Sequence, residues 1–125
     1  MNNLLGIDYG ERYIGIAIKH EEVNIPYGHK IIDTKNNDIN KELEVIIKNK
    51  KINKIVIGYP IGLNTNKTRM SNTVDKFIEN ILQKYNIPIE KIDERMTSKL
   101  INSNKNNRVD DLSAVKILET YIKND

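Results

Sequence analysis

Short apolar runs rich in branched residues alternate along the chain with longer stripes of helical spacing, and turn residues punctuate both. Leu4 to Asp8 and Tyr13 to Ile18 are two such runs, separated by Tyr9-Gly10-Glu11-Arg12, where glycine permits the tight reversal of a hairpin. A third strand is predicted at His29 to Thr34, after Pro26 and Gly28, because Ile31 and Ile32 lie between two sets of turn residues.

From Asp38 to Lys50 the apolar positions Ile39, Leu43, Ile46 and Ile47 recur at helical spacing with Lys and Glu between them, the pattern of an amphipathic helix. Lys54-Ile55-Val56-Ile57-Gly58 is a continuous apolar run that predicts a strand covered on both faces, as central parallel strands are. Tyr59-Pro60 ends it, and a polar loop is expected to follow. Helical periodicity returns at Val74, Phe77, Ile78, Ile81, Leu82 and Tyr85, stopped by Asn86 and Pro88, ahead of a strand at Ile89 to Asp93. A closing helix is predicted over Val109 to Ile122, behind the polar segment Asn102 to Arg108. The order is three strands, helix, strand, helix, strand, helix, an α/β arrangement expected to form one domain over residues 1–125.

Composition narrows the chemistry. With 38% hydrophobic and 30% charged residues the chain reads as a soluble globular protein. It has no run of apolar residues long enough to span a bilayer and no secretory pattern at its start, so the cytoplasm is the expected location. The absence of cysteine excludes disulfides, thiolate zinc sites and a cysteine nucleophile, leaving oxygen and imidazole as the only metal donors. His20 and His29 have no ligand spacing to each other or to acidic partners. The net charge of +3 permits a polyanionic partner without requiring one.

Three acidic positions carry candidate chemistry. Asp8 comes late in a buried strand, where a carboxylate costs desolvation unless it meets a cation or a donor; it could equally cap the following turn. Asp93-Glu94 follows the last strand and Asp110-Asp111 opens the last helix, and in both places acidic residues also suit a helix N-terminus. Periodicity does not choose between Asp110, in phase with Ala114, Ile117 and Tyr121, and Asp111, in phase with Val115, Leu118 and Ile122. Together the three positions suggest carboxylates converging from separate elements on a hard divalent cation, the donor set of metal-assisted phosphodiester hydrolysis. Lys99, Lys105 and Arg108 bracket the polar segment beside the third position, where phosphate contacts are expected. Lys48, Lys50, Lys51 and Lys54 form another basic cluster, which also fits complementing a helix dipole.

Four blocks carry a resemblance: Gly6-Ile7-Asp8-Tyr9-Gly10 with Arg12 and Ile14-Gly15-Ile16-Ala17; Ile55-Val56-Ile57-Gly58-Tyr59-Pro60; Asp93-Glu94-Arg95-Met96-Thr97; and Val109-Asp110 with Ser113-Ala114 and Ile117-Leu118. In this order, over nearly the whole chain, they resemble the YqgF family, also called RuvX, of the RNase H-like superfamily. The resemblance implies a five-stranded mixed sheet, three antiparallel strands and then two parallel ones, flanked by helices. It further implies that Asp8, Glu94 and Asp110 are the catalytic metal ligands and that the cation is magnesium or manganese. Arg12, Arg95, Lys99 and Arg108 are then expected to meet nucleic acid, with Arg95 equally suited to pairing with a neighbouring carboxylate. The activity implied is nuclease action in maturation of the small-subunit ribosomal RNA precursor, with ribosomal particles as possible partners and a monomer or weak dimer as the working form. A Holliday junction resolvase acting on branched DNA and a non-catalytic nucleic-acid-binding module are the alternatives. Actin-like ATPases open with a similar glycine-rich hairpin but enclose nucleotide between two such domains, and this chain has length for one. Two features depart from the family pattern: Tyr59 stands where leucine is common, and the segment from Ile101 to Arg108 is short.

Overall fold

The computed structural model describes residues 3–60, 68–93 and 111–124. Its strands are β1 (Leu4–Asp8), β2 (Tyr13–Lys19), β3 (Tyr27–Asp33), β4 (Lys54–Tyr59) and β5 (Ile89–Asp93). They form one five-stranded sheet in the order β3-β2-β1-β4-β5. β1 pairs antiparallel with β2, and β2 with β3, while β4 runs parallel to both β1 and β5. This is the mixed sheet the sequence implies.

The helices are α1 (Ile39–Asn49), α2 (Arg69–Phe77) and α3 (Asp111–Asn124). Asp38 caps α1 by accepting from the amides of Asn40 and Lys41, which satisfies donors that a helix start leaves open. α2 begins five residues before the predicted Val74, because its first turn is polar and shows no periodicity. Thr68 and Ser71 close that end as a capping box, and the Ser71 hydroxyl also donates to the Pro60 carbonyl, tying the exit of β4 to the start of α2. The helix continues through a π-helical turn at Ile78–Leu82 and a short 3-10 turn at Gln83–Tyr85. Asn86 then takes the left-handed conformation (φ 56°) that ends it.

β3 differs from expectation: it starts at Tyr27, and a bulge falls at His29 where the register shifts between Ile16 and Ala17. Pro26 and Gly28 read locally as a turn, but Gly28 belongs to the strand and its lack of a side chain serves packing. A Cβ there would collide with the Asp111 side chain at the start of α3.

Strand alternation divides the core. Leu5, Ile7, Ile14, Ile16, Ile18, Ile55 and Ile57 face α1 and the α2 helix and join Leu43, Val74, Phe77 and Leu82. Leu4, Ala17 and Val56 face the other way, against Ala114, Ile117 and Leu118 of α3. On this second face Gly6, Ala17 and Gly28 form a row across three adjacent strands. A Cβ at Gly6 would lie 2.6 Å from Leu118 Cγ and 3.1 Å from the Ala114 carbonyl oxygen, so α3 lies directly on the backbone. Lys54 at the start of β4 sits over the Tyr121 ring, 5.0 Å away, so α3 runs from β3 across the sheet toward β4.

Candidate active site

The parallel strands β1, β4 and β5 end at one edge of the sheet, in Asp8, Tyr59 and Asp93. Because β2 runs antiparallel to β1, its first residue lies at the same edge, as does Asp33 at the end of β3. The carboxyl ends of parallel strands are where open α/β sheets bind ligands, since the turns there are free of sheet packing.

Asp8 is the buried carboxylate of this edge, 6% exposed. Being two residues beyond Gly6, it faces the α3 side of the sheet. Its partner across β2 is Gly15, and Gly58 occupies the next position of the β4 register after Ile57. Neither flanking strand sets a side chain beside the carboxylate within the sheet. An oxygen donor in this setting suits magnesium or manganese, hard cations that take oxygen ligands.

Arg12 follows the hairpin turn and commits its guanidinium to Asp33, with Nε 3.0 Å from Oδ1 and Nη2 3.1 Å from Oδ2, while its head lies 5.1 Å from the Tyr13 ring centroid. That pairing, with further donors from the Lys35 amide and Asn36, holds the Asp33 carboxyl at about 2. Arg12 is half exposed (50%), so its outer surface still faces solvent. On the other side of the turn Glu11 meets Arg69 at 3.5 Å, placing a second arginine, 76% exposed, at the same edge from the start of α2.

Glu94, Asp110, Arg95, Lys99 and Arg108, together with Lys105, lie outside the described residues. Among the described residues no three acidic or imidazole groups converge on a metal position. Two neighbours of the expected ligands are described. Asp93 shares the phase of Lys91, which turns to α2 and contacts Asp75, so it lies on the face opposite Asp8. The Asp111 side chain packs on Gly28, and Gly28 lies two strands from β1, on the order of 10 Å across the sheet.

Both histidines are away from Asp8: His20 follows β2 at the opposite edge, and His29 sits in the edge strand, its pKa lowered by burial and by Lys50 and Lys30. The lysine cluster also belongs to the opposite edge, where Lys48 meets Glu44 and Lys54 meets Glu90.

Tyr59, a departure from the family pattern in the sequence, has a defined role in the structure. Its hydroxyl donates to Asp75 Oδ2 at 2.9 Å, Lys91 donates to Asp75 Oδ1 at 2.9 Å, and the Lys91 ammonium lies 4.4 Å from the Tyr59 ring centroid. The cluster pins α2 to β4 and β5, a task leucine has no polar group to perform. Its members lie 16 residues apart on three elements, so no local pattern announces it.

A family described as "RuvX: Holliday junction resolvase" matches residues 2–124. Among curated relatives, the "Putative pre-16S rRNA nuclease" of Rickettsia felis is 35% identical over 95% of this chain and 84% of its own length. The protein of the same name from Natranaerobius thermophilus is 30% identical over 95% of this chain and 92% of its own length. Among solved structures, RuvC of T. thermophilus in complex with a Holliday junction superposes with a TM-score of 0.65 at 12% identity, covering 98% of this chain and 93% of the other. At that identity the likeness speaks for the fold alone, which is RNase H-like.

Proposed function

The chain belongs to the RuvX family, and from that premise we propose that it is a metal-dependent nuclease that hydrolyses phosphodiester bonds in maturation of the small-subunit ribosomal RNA precursor. The observation that carries this reading is Asp8: a buried carboxylate at the parallel-strand edge, flanked on both sides by glycine. A pure nucleic-acid-binding module has no use for a negative charge at the place where phosphates would lie.

Asp8, Glu94 and Asp110 are proposed as the ligands and catalytic residues. Two features of the described residues support this set. Ile92 of β5 packs on the same face of the sheet as Asp8. The Asp111 side chain at the start of α3 lies against Gly28 on that same face. A divalent ion held there supplies an activated water and charge neutralisation at the phosphate. The protein's own part is to present oxygen donors from a rigid strand and to steer the polyanion in. Arg12, Arg95, Lys99 and Arg108 are proposed for that second task. Arg12 would do so with the outer side of a guanidinium already oriented by Asp33. Among the described residues no helix is long and apolar enough to cross a membrane, and the proposed place of action is the cytoplasm, on ribosomal precursor particles.

The test is a cleavage panel: ribosomal precursor RNA, single-stranded RNA and four-way junction DNA, each with magnesium, manganese or chelator. The reading expects precursor RNA to be cut in either metal and in neither case with chelator. Preferential cutting of the junction would transfer the assignment to branched DNA, and tight binding with no cleavage of any substrate would reduce the protein to a binding module.

A further inference from the structure

On the reverse side of the edge that carries Asp8 lies a cavity of about 300 Å³. Tyr9 and Phe77 form one wall, with ring centroids 4.7 Å apart and planes tilted by 38°. Ile14, Ile39 and Ile81 complete the apolar lining, and the polar rim includes Asn80 and Lys76. Phe77 ends α2 and Ile81 lies in the π-helical turn that follows, a widened helix geometry found frequently at functional sites. Burial and the nearby Glu11 push the Tyr9 hydroxyl up from its usual value, so the ring stays neutral and acts as an aromatic surface with a polar tip.

The position of this cavity argues for its occupant. Asp8 and Tyr9 are consecutive, their Cα atoms about 3.8 Å apart. Asp8 faces α3, whereas Tyr9 packs with the core on the α2 side. A nucleic-acid strand crossing this edge would present a phosphodiester to one side and an adjacent base to the other. The charge along that path is net positive: Arg69 at 76% exposure pairs with Glu11, which also lines the cavity, the half-exposed Arg12 pairs with Asp33, and Lys76 on the rim supplies the excess cation. The Asn80 amide offers both a donor and an acceptor, the combination that reads the edge of a base.

We propose that this cavity is a base-capture subsite, which takes one unpaired nucleobase next to the scissile phosphate by stacking on Tyr9 and hydrogen bonding to Asn80. The inference rests on the nuclease reading for its phosphate and adds a substrate requirement. A base within an intact duplex is stacked and paired and cannot enter, so the nucleotide beside the cut must be single-stranded, looped or flipped out.

The test needs no substitution at first. Short single-stranded RNAs in which one abasic nucleotide is moved along the strand are titrated into the wild-type protein in chelator, and their cleavage is then followed in manganese. One abasic position is expected to weaken binding about tenfold, the scale of losing one base-aromatic stack, with the others near the intact strand. Tyr9→Leu should weaken the intact strand by a similar factor and erase the position effect, and Asn80→Ala, at an exposed site, should reduce discrimination among the four bases at that position. Equal binding of all abasic strands by the wild type, or a position effect that survives Tyr9→Leu, would overturn the subsite. The two readings separate cleanly. Cleavage indifferent to every abasic position removes the subsite and leaves the nuclease, whereas position-dependent binding without cleavage in any metal supports the subsite and removes the nuclease.

Discussion

The side of the sheet under α1 and α2 is filled with long branched residues, Leu5, Ile7, Ile14, Ile16, Ile18, Ile55 and Ile57, while the side under α3 is lined by Gly6, Ala17, Gly28 and Val56 and ends in Asp8. On the first side, side-chain volume sets the spacing between helix and sheet, and stability follows from apolar area removed from water. On the second, the helix lies on backbone, and what matters is the absence of atoms at particular places. Placing the carboxylate on the small-residue side keeps bulk away from it: Gly15 and the glycine at position 58 are its neighbours in the flanking strands, as Gly6 and Gly28 are the contacts of α3. One side of the sheet is therefore sensitive to loss of volume and the other to its gain, and the proposed chemistry falls on the side that cannot accept added atoms.

The sharpest break in this comparison is Asp8→Asn. Replacing this proposed metal ligand should lower cleavage of the proposed RNA substrate by more than about a hundredfold, since even outer-shell partners of a metal commonly cost 10–100-fold. The fold should survive with equal or higher thermal stability, because in the proposed three-carboxylate site the loss of one charge relieves repulsion. Steady-state cleavage and a melting curve measure both. Next comes Gly6→Ala, whose Cβ would meet Leu118 Cγ at 2.6 Å and should destabilise by about 1–3 kcal/mol in urea unfolding. Its neighbour on the opposite face provides the contrast: Ile7→Val should cost about 0.5–1.5 kcal/mol, so a one-carbon gain on one side exceeds a one-carbon loss on the other.

Tyr59→Phe removes the hydroxyl that donates to Asp75 and should cost about 1 kcal/mol, with Lys91 still holding the carboxylate. The smallest effect concerns acid. Arg12 and the local donors depress the Asp33 carboxyl from 3.8 to about 2, so its contribution to stability is fully present above 3.8 and is lost as pH falls through 2. A carboxyl-carbon NMR titration should place its midpoint near 2, and Arg12→Ala should return it toward 3.8.

The elements most legible in the sequence are those whose local pattern and tertiary role agree. The run Lys54 to Gly58 reads as a covered strand because both of its faces are buried, and α1 reads from its apolar stripe. β3 reads too short in the sequence because Pro26 and Gly28 signal a turn when seen alone, whereas a helix distant in sequence settles on Gly28, a strand position. The first turn of α2 leaves no periodic signal because capping by Thr68 and Ser71, not apolar spacing, starts that helix.

The candidate site divides in the same way. Asp8 was legible because an acidic residue ending a buried strand conflicts with its surroundings and calls for a partner. The position of Asp93 on the opposite face and the packing of Asp111 on Gly28 depend on strand phase and helix placement, which composition and spacing do not encode. Tyr59, Asp75 and Lys91 meet only through the topology.

If positions 8, 94 and 110 share one divalent ion, as proposed, paramagnetic broadening by manganese reports it. As manganese is titrated below one equivalent into isotope-labelled protein, the amide signals of Asp8, Glu94 and Asp110 should broaden together, ahead of those of Glu21 and Lys51 at the opposite edge, and Asp8→Asn should abolish the effect. Broadening confined to one of the three, or no broadening at Asp8 while exposed carboxylates elsewhere respond, would contradict the account.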